Sequence, residues 1–273
     1  TIIESPDTET TEIALCEENA PGTYTLTATP DNAVYQDHFY QWQSRLEGED
    51  FKDIPGATSQ QYTASNITKT TYYRVKVAED SVNLYNAYCS SASDEFSILF
   101  IESPTAPVSA GDVNWCDNLG PATLLVSATG EQQIAWYDTE TGGNRLADGA
   151  SFQPEKAGTY YAEAFYEDYS CEVSKRTAVN LTINKAPVVK NEILQICPNA
   201  TLILDAEMAN HSYNWSTGET SAQIVIDSPG IYNVEISTPE SCSSTKTFEV
   251  YLVDDAQIAE VTSDDRKISI IPQ

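Results

Sequence analysis

The stretch "SPGIYNVEISTPESC", residues 228–242, decides the fold. Tyr232, Val234 and Ile236 alternate with Ile231, Asn233 and Glu235, so one side chain in two is placed to face a core. A Thr-Pro turn and Cys242 follow, and "TFEVYLV" then resumes the alternation with Phe248, Val250 and Leu252. Two such runs joined by a turn read as a hairpin. In many β-sandwiches a cysteine stands two residues after a tyrosine like Tyr232 and bridges the two sheets. Here position 234 is valine, and the cysteine has moved into the hairpin.

Working outward, the same order of events occurs three times. Upstream of the quoted stretch stand Cys197, "ATLILDAEM" with Leu202, Leu204 and Ala206 on one face, "SYNWS" with Tyr213 and Trp215, a turn at Gly218, and "AQIVID". An earlier copy runs from Cys116 through "ATLLVSA", "IAWYD" with Trp136, "GTYYAEA" with Tyr160, and Cys171. It ends in "AVNLTIN" with Val179, Leu181 and Ile183. The first copy runs from Cys16 through "TYTLTA", "FYQWQ" with Trp42, "YYRVKV" with Tyr73, Val75 and Val77, Cys89, and "EFSILFI". Short alternating runs with turns every 8–12 residues or so predict an antiparallel sandwich in each copy.

The predicted fold is therefore all-β, a tandem array of immunoglobulin-like antiparallel sandwiches. The predicted domains are 7–103, 107–184 and 187–253. "IESP" occurs at 3–6 and again at 101–104, where it opens a linker, so residues 1–6 read as the tail of a preceding repeat. "AQIAEV" and "KISIIPQ" read as strands of a following cysteine-free domain that starts at 254–273. No secretory leader and no apolar run of 18 residues is present, and the chain does not begin with Met. It is expected to be an internal piece of a longer exported protein.

Charge narrows the partners. The chain of 273 residues carries a formal net charge of −27. It repels phosphate backbones and anionic headgroups, which argues against nucleic acid and direct membrane insertion. No D-x-D-x-D-G loop occurs, and acidic pairs such as Asp254-Asp255 and Asp264-Asp265 are isolated. No cofactor is expected, with structural calcium as the minor alternative.

Six cysteines with no C-x-x-C motif do not make a zinc site, and the two histidines, His38 and His211, lie far from them in sequence. One pair per repeat predicts disulfides Cys16–Cys89, Cys116–Cys171 and Cys197–Cys242, formed in an oxidising compartment. The alternative is six free thiols. Each bridge would close one end of its own sandwich, contributing about 4 kcal/mol by chain entropy. Val75, Ala162 and Val234 would fill the core position that the cysteine has left.

Trp42, Trp136 and Trp215 are expected as core plugs, and Tyr73, Tyr160 and Tyr232 as tyrosines that bond back to the backbone. The hairpins "VNLYNAYC" and "AFYEDYSC" are rich in aromatic residues. Their Tyr85, Tyr88, Phe165, Tyr166 and Tyr169 either contact a ligand such as a sugar ring or cover the disulfide. No G-x-S-x-G or H-E-x-x-H motif occurs, so no catalytic residue and no enzymatic activity is expected.

"WYDTETGGNRLADGASFQP" with "GTYYAEAF", "DIPGATSQQYT" with "YYRVKV", and "ICPNATLIL" with "YNWSTGETS" together resemble the Ig-like repeats of large Bacteroidota cell-surface proteins. The resemblance implies a gliding-motility adhesin type of protein. It also implies export by the type IX secretion machinery, with a type B sorting domain beyond these residues. The expected function is a non-catalytic stalk and adhesive region of a secreted surface protein, with surface glycans or other surface proteins as partners. The alternative is an accessory Ig-like or carbohydrate-binding region of a secreted polysaccharide-degrading enzyme.

Overall fold

The computed structural model describes residues 11–30 and 37–253, so the segments expected at 1–6 and 254–273 lie outside the described residues. Two compact units share the chain. One holds residues 11–30, 37–111, 125–152 and 159–179, and the other holds 112–124, 153–158 and 180–253.

The architecture is all-β. The first repeat supplies β1 (Glu12–Cys16), β2 (Gly22–Thr27), β3 (Phe39–Leu46), β4 (Lys52–Asp53), β5 (Gln61–Ile67), β6 (Thr71–Ala78), β7 (Ser90–Ala92) and β8 (Phe96–Ile101). One sheet has the order β1-β8-β6-β3-β4, with β7 also on β6, and the facing pair is β2-β5. The second repeat supplies β9 (Val108–Ser109), β10 (Val113–Cys116), β11 (Leu124–Ser127), β12 (Gln133–Tyr137), β13 (Arg145–Asp148), β14 (Ser151–Phe152), β15 (Gly158–Phe165) and β16 (Thr177–Asn184). Its sheets are β10-β16-β15-β12-β13 and β14-β11-β9. The third supplies β17 (Glu192–Ile196), β18 (Leu202–Asp205), β19 (Ser212–Trp215), β20 (Gln223–Ile226), β21 (Gly230–Ser237) and β22 (Ser243–Leu252). They form β17-β22-β21-β19 and β18-β20.

The period-two pattern places the cores. In β21, Val234 and Ile236 are fully buried while Ile231 and Glu235 face out. The tryptophans lie at 4%, 0% and 2% exposure for Trp42, Trp136 and Trp215. Each stands directly opposite a residue of the neighbouring strand, Val75, Ala162 and Val234 respectively. A tryptophan thus faces the site where a sheet-to-sheet cysteine would stand, and aliphatic volume fills it. Each indole N–H reaches a carbonyl, that of Ser59 at 2.9 Å, Gly149 at 3.0 Å and Ser221 at 2.8 Å, so the polar end of the ring is satisfied.

One pairing differs from the rest. An edge strand near the start of each repeat runs parallel to the last strand: β1 on β8, β10 on β16, β17 on β22. Alternation of apolar residues is the same for either direction, so this was not legible from the pattern. It fixes where the first cysteine of each repeat lies. Cys16 pairs with Ile101 and Cys116 with Asn184, each at the terminal end of the last strand.

Candidate functional site: disulfide staples between successive repeats

The parallel edge strand overturns the expected disulfides. In the third repeat Ile196 pairs with Leu252, whereas Cys242 immediately precedes Ser243 at the opposite end of that strand. Ten residues of strand separate two places by about 30 Å, far beyond the limit of about 7 Å between bridged Cα atoms. The same argument separates Cys16 from Cys89 along β8 and Cys116 from Cys171 along β16. The bridges instead join successive repeats. Cys16 is bonded to Cys171, with Cα atoms 5.4 Å apart, and Cys116 to Cys242, with Cα atoms 5.6 Å apart. The first lies within one compact unit and the second within the other. Cys89 and Cys197 are free thiols, and both are exposed.

The rule is the same in both bridges: the edge-strand cysteine of one repeat takes the hairpin cysteine of the next. The residues after the edge-strand cysteine reinforce it. Glu17 Oε2 accepts the Ser103 amide at 2.9 Å, just past the end of β8. Asp117 Oδ1 accepts the Ala186 amide at 2.9 Å, just past the end of β16, and Oδ2 meets Lys185 Nζ at 3.0 Å. These bonds hold both carboxyls below the ordinary carboxylate range, the backbone amide being the larger cause in each. One position further on, the side chain crosses to the bridged hairpin. Glu18 Oε1 accepts the Glu172 amide at 2.9 Å, and Asn118 Nδ2 donates to the Ser243 carbonyl at 2.8 Å. Glu172 and Ser243 directly follow the bridged hairpin cysteines. The available signal was an acidic residue directly after the cysteine in "CEE" and "CDN"; the third repeat has "CPN", where Pro198 has no carboxylate.

The hairpin cysteines also share a frame. Ser174 Oγ accepts the Ala164 amide at 2.8 Å, and its own amide donates back to the Ala164 carbonyl at 2.9 Å. Ser93 does the same with Val75, at 3.0 and 2.9 Å. The loops carrying Cys171 and Cys89 are therefore clasped to their strands in the same way.

The other candidate residues fall as follows. Tyr232 donates its hydroxyl to the Ser228 carbonyl at 2.9 Å. Tyr73 packs on Tyr62 at 6.1 Å, and burial pushes its hydroxyl up to about 12. Tyr160 packs edge-on to Phe152 at 5.2 Å. In the first hairpin Tyr88 is 98% exposed, and Tyr85 donates to Asp53 Oδ2 at 2.6 Å. In the second, Tyr166 and Tyr169 meet edge-on at 6.2 Å, and Phe165 lies under the Arg145 guanidinium at 4.9 Å. An open cleft of about 1130 Å³ in the first repeat is lined by Tyr24, Trp42, Tyr73, Val75, Tyr88 and Cys89 among others.

Among the described residues the two histidines lie apart from each other and from the cysteines in sequence. His211 Nδ1 lies 2.7 Å from the Ala209 carbonyl, and His38 lies beside Tyr40. Among the described residues, three possible metal ligands converge at Cys16, Glu18 and Cys171. The two sulfurs are bonded to each other, so no thiolate is available there, and the site does not suit a metal. The acidic pairs Asp254-Asp255 and Asp264-Asp265 lie outside the described residues. Among the described residues no helix is long and apolar enough to cross a membrane.

Fold and staples define a tandem array of Ig-like sandwiches, and a family model agrees for the second repeat. The family model "Ig-like domain CHU_C associated" matches residues 104–184, and "Domain of unknown function (DUF8696)" matches residues 6–95. A curated relative, Protein OPI10 of Saccharomyces cerevisiae, is 23% identical over 164 residues, covering 56% of this chain. The chain spans 64% of that relative's length. Among solved structures the chain is similar to a complex of Dpr2 Ig1-Ig2 with DIP-Theta Ig1-Ig3. That match has 12% identity, a TM-score of 0.41, and coverage of 90% of this chain and 97% of the other. It is also similar to a solved chain from a study of the host cell surface retention of a 1.5-MDa bacterial ice-binding adhesin, with 8% identity, a TM-score of 0.36, and coverage of 88% of this chain and 94% of that solved chain. A third is the Bacteroides ovatus SGBP-B protein in complex with a mixed-linkage heptasaccharide, with 13% identity, a TM-score of 0.22, and coverage of 92% and 68%.

Proposed function

We propose that this chain is a non-catalytic stalk and adhesive region of a large secreted bacterial cell-surface protein. In this reading it is exported by the type IX secretion machinery and serves surface adhesion or gliding. The observation that carries the reading is the pair of disulfides joining successive repeats. A linker alone is one covalent connection, which leaves neighbouring domains free to bend and twist. A staple beside the linker adds a second, so each junction resists bending, twisting and extension. That is a property of a load-bearing spacer, and disulfides persist in the oxidising surroundings where such a spacer works. The net charge of −27 keeps neighbouring copies apart and soluble.

Tyr88, almost wholly exposed on its hairpin, favours a second reading. There the region is accessory to a secreted polysaccharide-degrading enzyme, and the hairpin aromatics stack on sugar rings or dock on surface proteins. Replacing Cys16 and Cys116 by serine in the parent protein separates the two. The stalk reading expects normal surface display with loss of attachment under shear flow. Undiminished attachment, together with poorer growth on one polysaccharide, would favour the accessory reading.

A further inference from the structure

Cys89 and Cys197 are the two cysteines without a bridge, and they are of opposite kinds. Cys197 directly follows β17, the edge strand that runs parallel to β22, and so holds the place that Cys16 holds at the end of β1 beside β8 and Cys116 at the end of β10 beside β16. Two residues after Cys116, Asn118 binds the partner hairpin. Two residues after Cys197 stands Asn199, exposed. Cys89 is a hairpin cysteine. Its loop has the Ser93 clasp that Ser174 gives the loop of bridged Cys171, and like Cys242 it directly precedes a returning strand. Each free thiol thus occupies a position whose counterpart in this same chain is bonded across a repeat junction.

We propose that Cys89 and Cys197 are unmatched halves of the same staple. Cys89 accepts the edge-strand cysteine of another repeat of this build, and Cys197 accepts the hairpin cysteine of another. The inference goes beyond the stalk reading, because it assigns a covalent partner of defined polarity to each thiol. A second copy of this chain carries both complements, so two copies should join head to tail through Cys197 of one and Cys89 of the other. The chemistry needs a low-molecular-weight disulfide as oxidant, such as oxidised glutathione. One cysteine thiolate attacks it and releases one glutathione thiolate. The second cysteine thiolate then attacks the mixed disulfide, forming the protein S–S bond and releasing the other glutathione. Two protein thiols are oxidised while one glutathione disulfide is reduced to two thiols. Pro198, in the place of Glu17 and Asp117, removes the linker clamp but not the sulfur geometry.

The test is oxidation of the full chain, concentrated, in a glutathione redox buffer, followed by peptide mapping without reduction. The Cys89–Cys197 cross-link between copies is expected to exceed Cys89–Cys89 and Cys197–Cys197 together by at least about tenfold. A ladder of oligomers should form, reversible by reductant. Cys89→Ser and Cys197→Ser should each abolish it when tested alone, and an equimolar mixture of the two variants should give dimers only. Random or like-with-like cross-links, a Cys89–Cys197 bridge inside one copy, or monomer alone would overturn the proposal. Retention of Cys16–Cys171 and Cys116–Cys242 in the same maps shows that the variants are folded.

Discussion

At position 215 the indole stacks on Phe248 at 5.6 Å, donates its N–H to the Ser221 carbonyl and faces Val234 across the sheet. Trp215→Ala removes the largest ring of that core and leaves a cavity that the sandwich cannot close. It should destabilise the third sandwich by about 3–5 kcal/mol in urea unfolding; a loss below about 1 kcal/mol would mean the ring is not a core plug. In the second repeat, Arg176 stacks on Tyr137 at 3.4 Å, pairs with Glu163 Oε2 at 2.8 Å and reaches the Thr139 and Gly142 carbonyls. Both side chains of the pair are about nine-tenths buried. Arg176→Met leaves the carboxylate stranded and should cost about 3–5 kcal/mol. Adding Glu163→Leu should recover most of it, because the paired apolar change removes the stranded charge. Equal losses in the single and double variants would assign the cost to Tyr137 packing instead. The tryptophans were legible from their place in the second alternating run after each edge-strand cysteine. The Arg176 network was not, since in a chain with 41 acidic residues no spacing singles out Glu163.

The edge strands are the elements that matter most. Running parallel to the last strand, β1 and β10 each deliver a cysteine and the acidic residue after it to the point where the linker leaves. Glu17 and Asp117 have pKa values lowered in the fold, so their hold on the linker is complete above the ordinary carboxylate range, about pH 4. It is lost as pH falls through the lowered values. Acidification from pH 5 to about pH 2 should therefore shift the Ser103 and Ala186 amide resonances, with midpoints below those of free Glu and Asp. Glu17→Gln should remove the titration of Ser103 and leave that of Ala186. A Ser103 shift that survives the substitution would point to another carboxylate.

Across the whole molecule the staples overlap. Cys16–Cys171 spans a sequence separation of 155 and Cys116–Cys242 one of 126, and each interval contains one end of the other. The shortest covalent path from Cys16 to Cys242 therefore runs back along the segment between Cys171 and Cys116. About 170 residues are withheld from extension, worth roughly 600 Å at about 3.5 Å per residue. Single-molecule pulling from the two ends should show that much extra contour length after reduction of the bridges. The intra-repeat pairing would instead leave each repeat separately shortened, giving steps of about 45 to 75 residues. By chain entropy each closed loop also lowers the freedom of the unfolded chain by about 5 kcal/mol, more than the shorter loops within repeats would.

By itself the sequence determined the all-β class, the threefold repeat, the hairpins and the buried tryptophans. These follow from local alternation and turn residues, and neighbouring residues carry that information. Which cysteine meets which was decided only in the tertiary structure. A strand that alternates apolar and polar residues reads the same whether it lies parallel or antiparallel to its neighbour, yet reversing it moves its final cysteine from one end of the sandwich to the other. A disulfide requires Cα atoms within about 7 Å, so that reversal turns three closures within repeats into staples between them.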